Sequence, residues 1–227
     1  MVTPAYRKRL TALLTPQEQR LFARLQTPQK VQAFIDAVPA NFGIAGDTAM
    51  SPRTMLKAKV AHCSEGAVFA VAALAFHGRP SWLIDLRALP SDSDHIITVF
   101  RERGLWGAIS KTNHPVLRWR DPVYRSPREL VMSYVHEYCL PGGKKSLLEY
   151  SRPFALTRYA PERWLTPEED LDWLMVALDE APHLPIAPKA SLKRQRRSTA
   201  FERQAHNQTE WADPRKKARG NTSKRRD

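Results

Sequence analysis

One cysteine of this chain stands where a nucleophile would be activated. Cys63 directly precedes an apolar run, residues 64–76 (SEGAVFAVAALAF), that is typical of a helix buried on every side. Backbone N–H groups at a helix start carry a partial positive charge, which favours a thiolate over a thiol and lowers its pKa. The same groups can stabilise the oxyanion of an attacked carbonyl. The position predicts a reactive thiol, and it is also compatible with a small buried apolar residue.

A histidine that could serve as the base for this thiol follows an Asp-rich turn. His95 begins a β-branched segment (HIITVF) that predicts a strand, and the segment LWGAIS predicts the strand that pairs with it. A four-residue turn between them would place His95 opposite Ser110, with both side chains on one face. An imidazole there can accept the thiol proton of Cys63 and return it to a leaving group. The spacing therefore predicts a Cys63–His95 dyad with Ser110 within reach of the ring.

Three stretches around these residues, HCSEGAVFAVAALAFHGRPSWLIDL, DSDHIITVF and GLWGAIS, are together similar to the core of the bacterial transglutaminase-like proteins. These proteins belong to the papain-fold cysteine-enzyme superfamily. In that family a cysteine opens the central helix and Gly-x-Pro follows it. A histidine then begins one strand, and the next strand carries an acid after a tryptophan. The matching positions, within residues 55–110, are Cys63, residues 78–80, His95 and Trp106.

The resemblance implies an acyl-transfer enzyme, an amidase, peptidase or transglutaminase-like protein that acts on a peptide, amide or ester substrate. Cys63 would attack the carbonyl carbon, His95 would move the proton, and water or an amine would resolve the thioester. Such chemistry implies no cofactor and no metal. The second class of function is a catalytically inactive scaffold of the same fold that binds an acidic partner or nucleic acid through a basic tail.

The residue that would orient His95 departs from the family pattern. Four residues past the tryptophan, where the family has an acid, this chain has Ser110, which can hydrogen-bond an imidazole but supplies no negative charge. Asn113 offers the side-chain amide that papain-like enzymes use, and Asp121 belongs to an Asp-Pro pair of the kind that often follows the acid-bearing strand. We rank Ser110 first by register, Asn113 second by chemistry and Asp121 last. With Ser110 in the role, we expect weaker activation of the thiol.

The elements that must position these residues have clear signals. Ser or Thr followed by Pro marks four predicted helix starts, because the hydroxyl accepts backbone N–H groups and Pro suits the first helical position. Three of them add the Glu of a capping box. These helices are predicted at 16–25, 28–37, 127–139 and 167–180, and strands are predicted at 81–86, 96–100 and 105–110. The predicted fold is α+β, with a papain-like or transglutaminase-like core: a central helix packed on an antiparallel sheet, with flanking helices.

Charge divides the chain into a domain and a tail. The whole chain has 36 Lys and Arg against 23 Asp and Glu, but the stretch from Ile186 onward has 13 against 4. Residues 188–227 contain few apolar side chains and no periodicity, which is typical of a disordered basic extension that contacts polyanions non-specifically. We therefore predict a transglutaminase-like cysteine-enzyme domain over 1–187, with its core at 55–125, and a disordered basic tail over 188–227.

Apolar runs and cysteines exclude several classes of protein. The longest apolar run, 67–76, is well short of the roughly 18 residues that a membrane span needs. Residues 1–10 lack the apolar region of a signal peptide. Cys63 and Cys139 form no CxxC pair, so the sequence predicts neither a disulfide framework nor a zinc cluster. These features favour a cytoplasmic protein with reduced thiols and no membrane partner.

Overall fold

The computed structural model describes residues 2–44, 46 and 48–215. In this part the helices are α1 (Pro4–Leu13), α2 (Pro16–Arg24), α3 (Pro28–Ala37), α4 (Pro52–Ala58), α5 (Cys63–Phe76), α6 (Pro127–Met132), α7 (Asp172–Asp179), α8 (Lys189–Lys193) and α9 (Ala200–Asn207). The strands are β1 (Ser81–Ala88), β2 (His95–Glu102), β3 (Leu105–Ile109), β4 (Arg120–Tyr124), β5 (Leu147–Ser151) and β6 (His183–Pro185). They form one antiparallel sheet in the order β4-β3-β2-β1-β5-β6. The prediction of an α+β fold with an antiparallel sheet is confirmed.

Helix α5 lies at the centre of the molecule. Its residues from Ser64 to Ala75 are all buried, which confirms the prediction of a helix that is apolar on every side. One face of the sheet packs against α5, and α1 to α4 contact the helix as well. The opposite face of the sheet packs against α6 and the turns after it. Within the described ranges, no helix is both long enough and apolar enough to cross a membrane.

The first turn of α5 lies very close to the segment that follows β3. A Cβ atom at Gly66 would be 2.3 Å from Cβ of Lys111, so a residue without a side chain is required here. Lys111 is almost fully buried, which lowers its pKa, and its ammonium group donates to the carbonyl of Val38. This approach fixes where α5 begins relative to the end of β3.

The pairing of Ser or Thr with Pro begins a helix at three of the four predicted positions, Thr15, Thr27 and Ser126. In each, the hydroxyl accepts the N–H of the third helical residue. The same signal at Thr3 and Ser51 begins α1 and α4, two helices that are not among the predicted ones. Helix α6 ends at Met132, and turns replace the rest of the helix predicted to reach residue 139.

The prediction of a helix start at Pro167 is wrong, because α7 begins only at Asp172. The carbonyl of Pro167 accepts hydrogen bonds from the hydroxyl groups of Ser51 (2.7 Å) and Thr54 (3.1 Å). Tertiary hydrogen bonds therefore hold this segment in a non-helical path that local propensity does not reveal.

The β2–β3 hairpin turns through two residues rather than four. Arg103 and Gly104 have φ of 49° and 85°, as a two-residue type I′ turn requires. The pairing places Ile109 opposite Thr98, so the predicted register is wrong by two residues. Because side chains alternate between the two faces with a period of two, this shift leaves His95 on the same face as the residue predicted opposite it.

The segment from 188 to 215 is not a disordered tail. It forms α8, α9 and extended stretches that contact the rest of the chain. The N–H of Ser198 donates to the carbonyl of Gly143 at 2.8 Å, and the N–H of Glu210 donates to the carbonyl of Asn113 at 3.1 Å. The prediction of disorder is therefore wrong for these residues, because backbone and charged groups dock the segment without a strong apolar pattern. Residues 216–227 of the predicted tail lie outside the described residues.

Candidate active site

A cavity of about 510 Å³ opens where α5 and β2 begin. Its walls come from the start of α5, the turn before β2, the segment after β3, the turns after α6 and the C-terminal segment. Cys63 and His95 both line it. Helix α5 and strand β2 thus bring together the two residues that the sequence predicts to do chemistry, although they are far apart along the chain.

Cys63 is the first residue of α5 and is half-buried. Burial raises the pKa of its thiol above the ordinary value, whereas backbone N–H groups of Ile96 and Ser64 that hydrogen-bond the sulfur lower it. The negative charges of Asp85 and Glu65 raise it further. The lowered pKa expected from the helix start is therefore wrong, because removing the thiolate from water outweighs the two N–H groups.

His95 is buried at the start of β2. Its Nε2 lies 2.7 Å from Oγ of Ser110, whose side chain is also buried. In the tautomer that suits a base, Nε2–H donates to this hydroxyl and Nδ1 is the acceptor for a thiol proton. Burial lowers the pKa of His95 to about 4, and the charge of His114 acts in the same direction. The imidazole is therefore neutral at neutral pH.

The thiol and the imidazole are held against the same stretch of β2. The N–H group that bonds the sulfur of Cys63 belongs to Ile96, the residue that follows His95. A raised thiol pKa together with a lowered imidazole pKa leaves both groups uncharged at rest. The arrangement suits general-base activation of a thiol rather than a standing thiolate–imidazolium pair.

Ser110 is fixed in place by a glutamine on α3. The N–H of Ser110 donates to Gln32 Oε1 at 2.9 Å, and Gln32 Nε2 donates to the carbonyl of Ser110 at 3.0 Å. The same Nε2 also donates to Asp36 at 2.8 Å. Gln32 thereby fixes the backbone that carries the Ser110 hydroxyl. No sequence pattern indicated this residue, because its contact is made across the fold.

The other two candidates for orienting His95 are engaged elsewhere. Asn113 lines the cavity, but its side chain exchanges two hydrogen bonds with the backbone of Trp211. Asp121 lies on β4 and accepts the indole N–H of Trp119 at 2.8 Å. Of the three candidates, Ser110 is the one whose hydrogen bond to the ring is found.

A second buried pair of ionisable groups joins Asp85 of β1 to His183 of β6. Nε2 of His183 is 3.2 Å from Oδ2 of Asp85, and Nδ1–H of His183 donates to the carbonyl of Ala181. Because Nδ1 holds a hydrogen, the two facing atoms must share another proton. Burial raises the pKa of Asp85 to about 6, and the charge of Asp94 raises it as well. The one available signal was an Asp inside the apolar segment SWLIDL.

No group of three or more His, Cys, Asp or Glu residues in the described part could hold a metal ion. No family model matches the sequence, and no curated protein matches it. The similarity to transglutaminase-like proteins therefore stays a prediction, and function must be argued from the geometry of the cavity.

Proposed function

We propose that the protein is a cysteine-dependent acyl-transfer enzyme with a transglutaminase-like core, and that its substrate is a peptide, amide or ester. One observation carries the proposal: Cys63 and His95 line the same cavity, and the second ring nitrogen of His95 is engaged by Ser110. This supports the assignment of Cys63 as nucleophile, His95 as base and Ser110 as the group that orients the base, the three roles that covalent catalysis needs.

In the first step the sulfur of Cys63 attacks the carbonyl carbon while Nδ1 of His95 takes the S–H proton. Because both groups are uncharged at rest, the proton moves as the S–C bond forms. Negative charge then builds on the carbonyl oxygen, and backbone N–H groups at the first turn of α5 stabilise it. The imidazolium that forms keeps its Nε2–H bond to Ser110.

In the second step the tetrahedral intermediate collapses and Nδ1 of His95 gives its proton to the leaving amine or alcohol. The acyl group remains on Cys63 as a thioester. Water or an amine then attacks the thioester and loses a proton to His95, and the thiol returns as the product leaves. Since Ser110 supplies no negative charge to the imidazolium, we expect aryl esters to acylate Cys63 faster than amides do.

Acylation of the two cysteines by an aryl acetate tests this proposal. Cys139 lines the same cavity, and its thiol donates to the carbonyl of Leu140 at 3.4 Å, so it serves as the matched control thiol. We expect acetylation of Cys63, read by peptide mass spectrometry, to outpace that of Cys139 and to fall by about 100-fold or more in His95→Ala. Equal acetylation of both cysteines, or an unchanged rate at Cys63 in His95→Ala, would contradict the proposal.

The alternative is an inactive scaffold that binds an acidic partner or nucleic acid through its basic end. The concentration of Lys and Arg after Ile186 supports it. Docking of the segment weakens it, because Arg196 is paired with Glu202 at 2.6 Å and is partly neutralised. The scaffold predicts no His95-dependent acylation, and it predicts salt-sensitive polyanion binding that substitution of the basic residues abolishes.

A further inference from the structure

The end of the described chain forms one wall of the cavity that holds Cys63. We define residues 206–215 as the C-terminal strap. Its first residue, His206, and its last, Arg215, both line the cavity. The middle of the strap is fastened to the segment that follows β3. Access to the thiol therefore depends on where this strap lies.

Asn113 binds the backbone of the strap. Its carbonyl accepts the N–H of Glu210 at 3.1 Å, and its Oδ1 accepts the N–H of Trp211 at 2.8 Å. Its Nδ2 donates to the carbonyl of Trp211 at 3.0 Å. These three bonds engage the peptide backbone of two consecutive residues, so the contact depends on an extended chain rather than on particular side chains.

Two side-chain contacts help to fasten the strap. Arg118 forms an ion pair with Glu210, and Nδ1–H of His114 donates to the carbonyl of His206 at 2.8 Å. Both partners of the ion pair are partly exposed, so solvent screens it and its contribution is small. Asn113 is therefore the main anchor.

The strap also leaves polar atoms unsatisfied. Nδ1 of His206 and the indole N–H of Trp211 are buried and find no hydrogen-bond partner among the described residues. A buried polar group without a partner opposes the state that buries it. The closed position is thus held by a few bonds and opposed by two unpaired groups, as a displaceable cover requires.

We infer that the strap is an intramolecular cover of the cavity, anchored by Asn113, and that it must move away before a bulky acyl donor can reach Cys63. The role of this cover in regulation rests on the proposed function. Closure itself does not rest on that function, because it concerns access to Cys63 and can be measured even if Cys63 is not a catalytic nucleophile. Asn113 then serves as the anchor of the strap rather than as the partner of His95.

Two maleimides of different size test the inference in the full-length chain. N-ethylmaleimide and a maleimide bearing a bulky aromatic dye share one reaction, so the ratio of their rates at Cys63 cancels the reactivity of the thiol. We expect Asn113→Ala to raise the ratio of bulky to small reagent by about fivefold or more. Asn207→Ala, an exposed residue of the strap, is the matched control and should leave the ratio unchanged.

An unchanged ratio in Asn113→Ala would overturn the inference, even if both rates fall together. Such a joint fall would instead assign Asn113 to the orientation of His95. The proposed function fails on a different result, the loss of His95-dependent acylation, so the two failures are distinguishable.

Hydrogen exchange shows whether Asn113→Ala releases the strap alone or destabilises the whole fold. The amides of Glu210 and Trp211 should exchange faster in Asn113→Ala, while the amides of α5 stay protected. If α5 also loses protection, Trp211→Pro takes its place, because proline removes the backbone N–H that Asn113 Oδ1 accepts and leaves Asn113 unchanged. Slow exchange of the Glu210 amide in the variant that keeps α5 protected would count against the cover.

Discussion

A serine on the far side of the imidazole gives this site a weaker base than a carboxylate would. Ser110 hydrogen-bonds the ring of His95 but adds no negative charge to oppose the effect of burial, which with the charge of His114 lowers the pKa of the ring to about 4. The ring is neutral at rest, and during the reaction it must accept a proton in buried surroundings that disfavour its charged form. Residue types and spacing could indicate this pair, since a register shift of two residues keeps the histidine and the serine on one face and within reach as diagonal neighbours.

Removing the hydroxyl should therefore have a modest effect. We expect Ser110→Ala to slow acylation of Cys63 by about 5- to 10-fold, the effect of one hydrogen bond that positions the ring. Thr112→Val removes a hydroxyl that also lines the cavity and accepts the N–H of His114, and it should have little effect. Acylation rates with an aryl acetate provide the measurement, and a larger loss in Thr112→Val than in Ser110→Ala would disprove the assignment.

The elements around the site differ in how far the sequence determines them. Helix starts with a Ser or Thr cap are local, and three of the four predicted starts are confirmed because cap and Pro act within one turn. The exception at Pro167 is decided by hydrogen bonds from Ser51 and Thr54, which lie over a hundred residues away in the chain. The hairpin register depends on two positive φ angles in the turn, at Arg103 and Gly104, and a four-residue turn fits the same apolar pattern. The path at Pro167 therefore has no local signal, whereas the register is decided within the turn itself.

The contact between α5 and the segment after β3 makes a prediction at this scale. In Gly66→Ala the new Cβ would lie 2.3 Å from Cβ of Lys111, which cannot rotate away. We expect α5 to shift, with a net loss of about 2 kcal/mol in the free energy of unfolding, even though Ala favours a helix. Gly142→Ala, where the nearest atom would be 3.9 Å from the new Cβ, is the control for the same substitution. Urea unfolding measures both, and a more stable Gly66→Ala protein would contradict the packing argument.

At the scale of the whole molecule, burial shifts the pKa values of His95 and Asp85 in opposite directions. His95 binds its proton less tightly when folded, and Asp85 binds its proton more tightly. Between pH 4 and 6.5 the unfolded chain therefore binds more protons at His95, and stability falls as the pH falls through this window. Asp85 acts with the reverse sign, because its folded pKa of about 6 lies above the ordinary value.

Comparing variants separates the two contributions. We expect the wild-type protein to lose about 3 kcal/mol more stability than His95→Gln when the pH is lowered from 6.5 to 4. We expect Asp85→Asn to lose more stability than the wild-type protein over the same range, because it lacks the carboxyl group that gains a proton in the folded state. The amide of the new side chain can still donate to Nε2 of His183. Urea unfolding at several pH values measures each profile, and parallel curves for wild type and His95→Gln would show that the ring is not held neutral by the fold.

The support of the base and the anchor of the strap lie only three positions apart in the sequence. Ser110 contacts His95, and Asn113, further along the same segment, contacts Trp211. Gln32 fixes the first end of this short segment and the strap fixes the second. Release of the strap frees one end and increases the conformational entropy of the backbone that holds the Ser110 hydroxyl. Opening of the cavity therefore opposes precise orientation of the imidazole. Catalysis should be fastest when a bound substrate takes the place of the strap on Asn113, because the segment is then held at both ends.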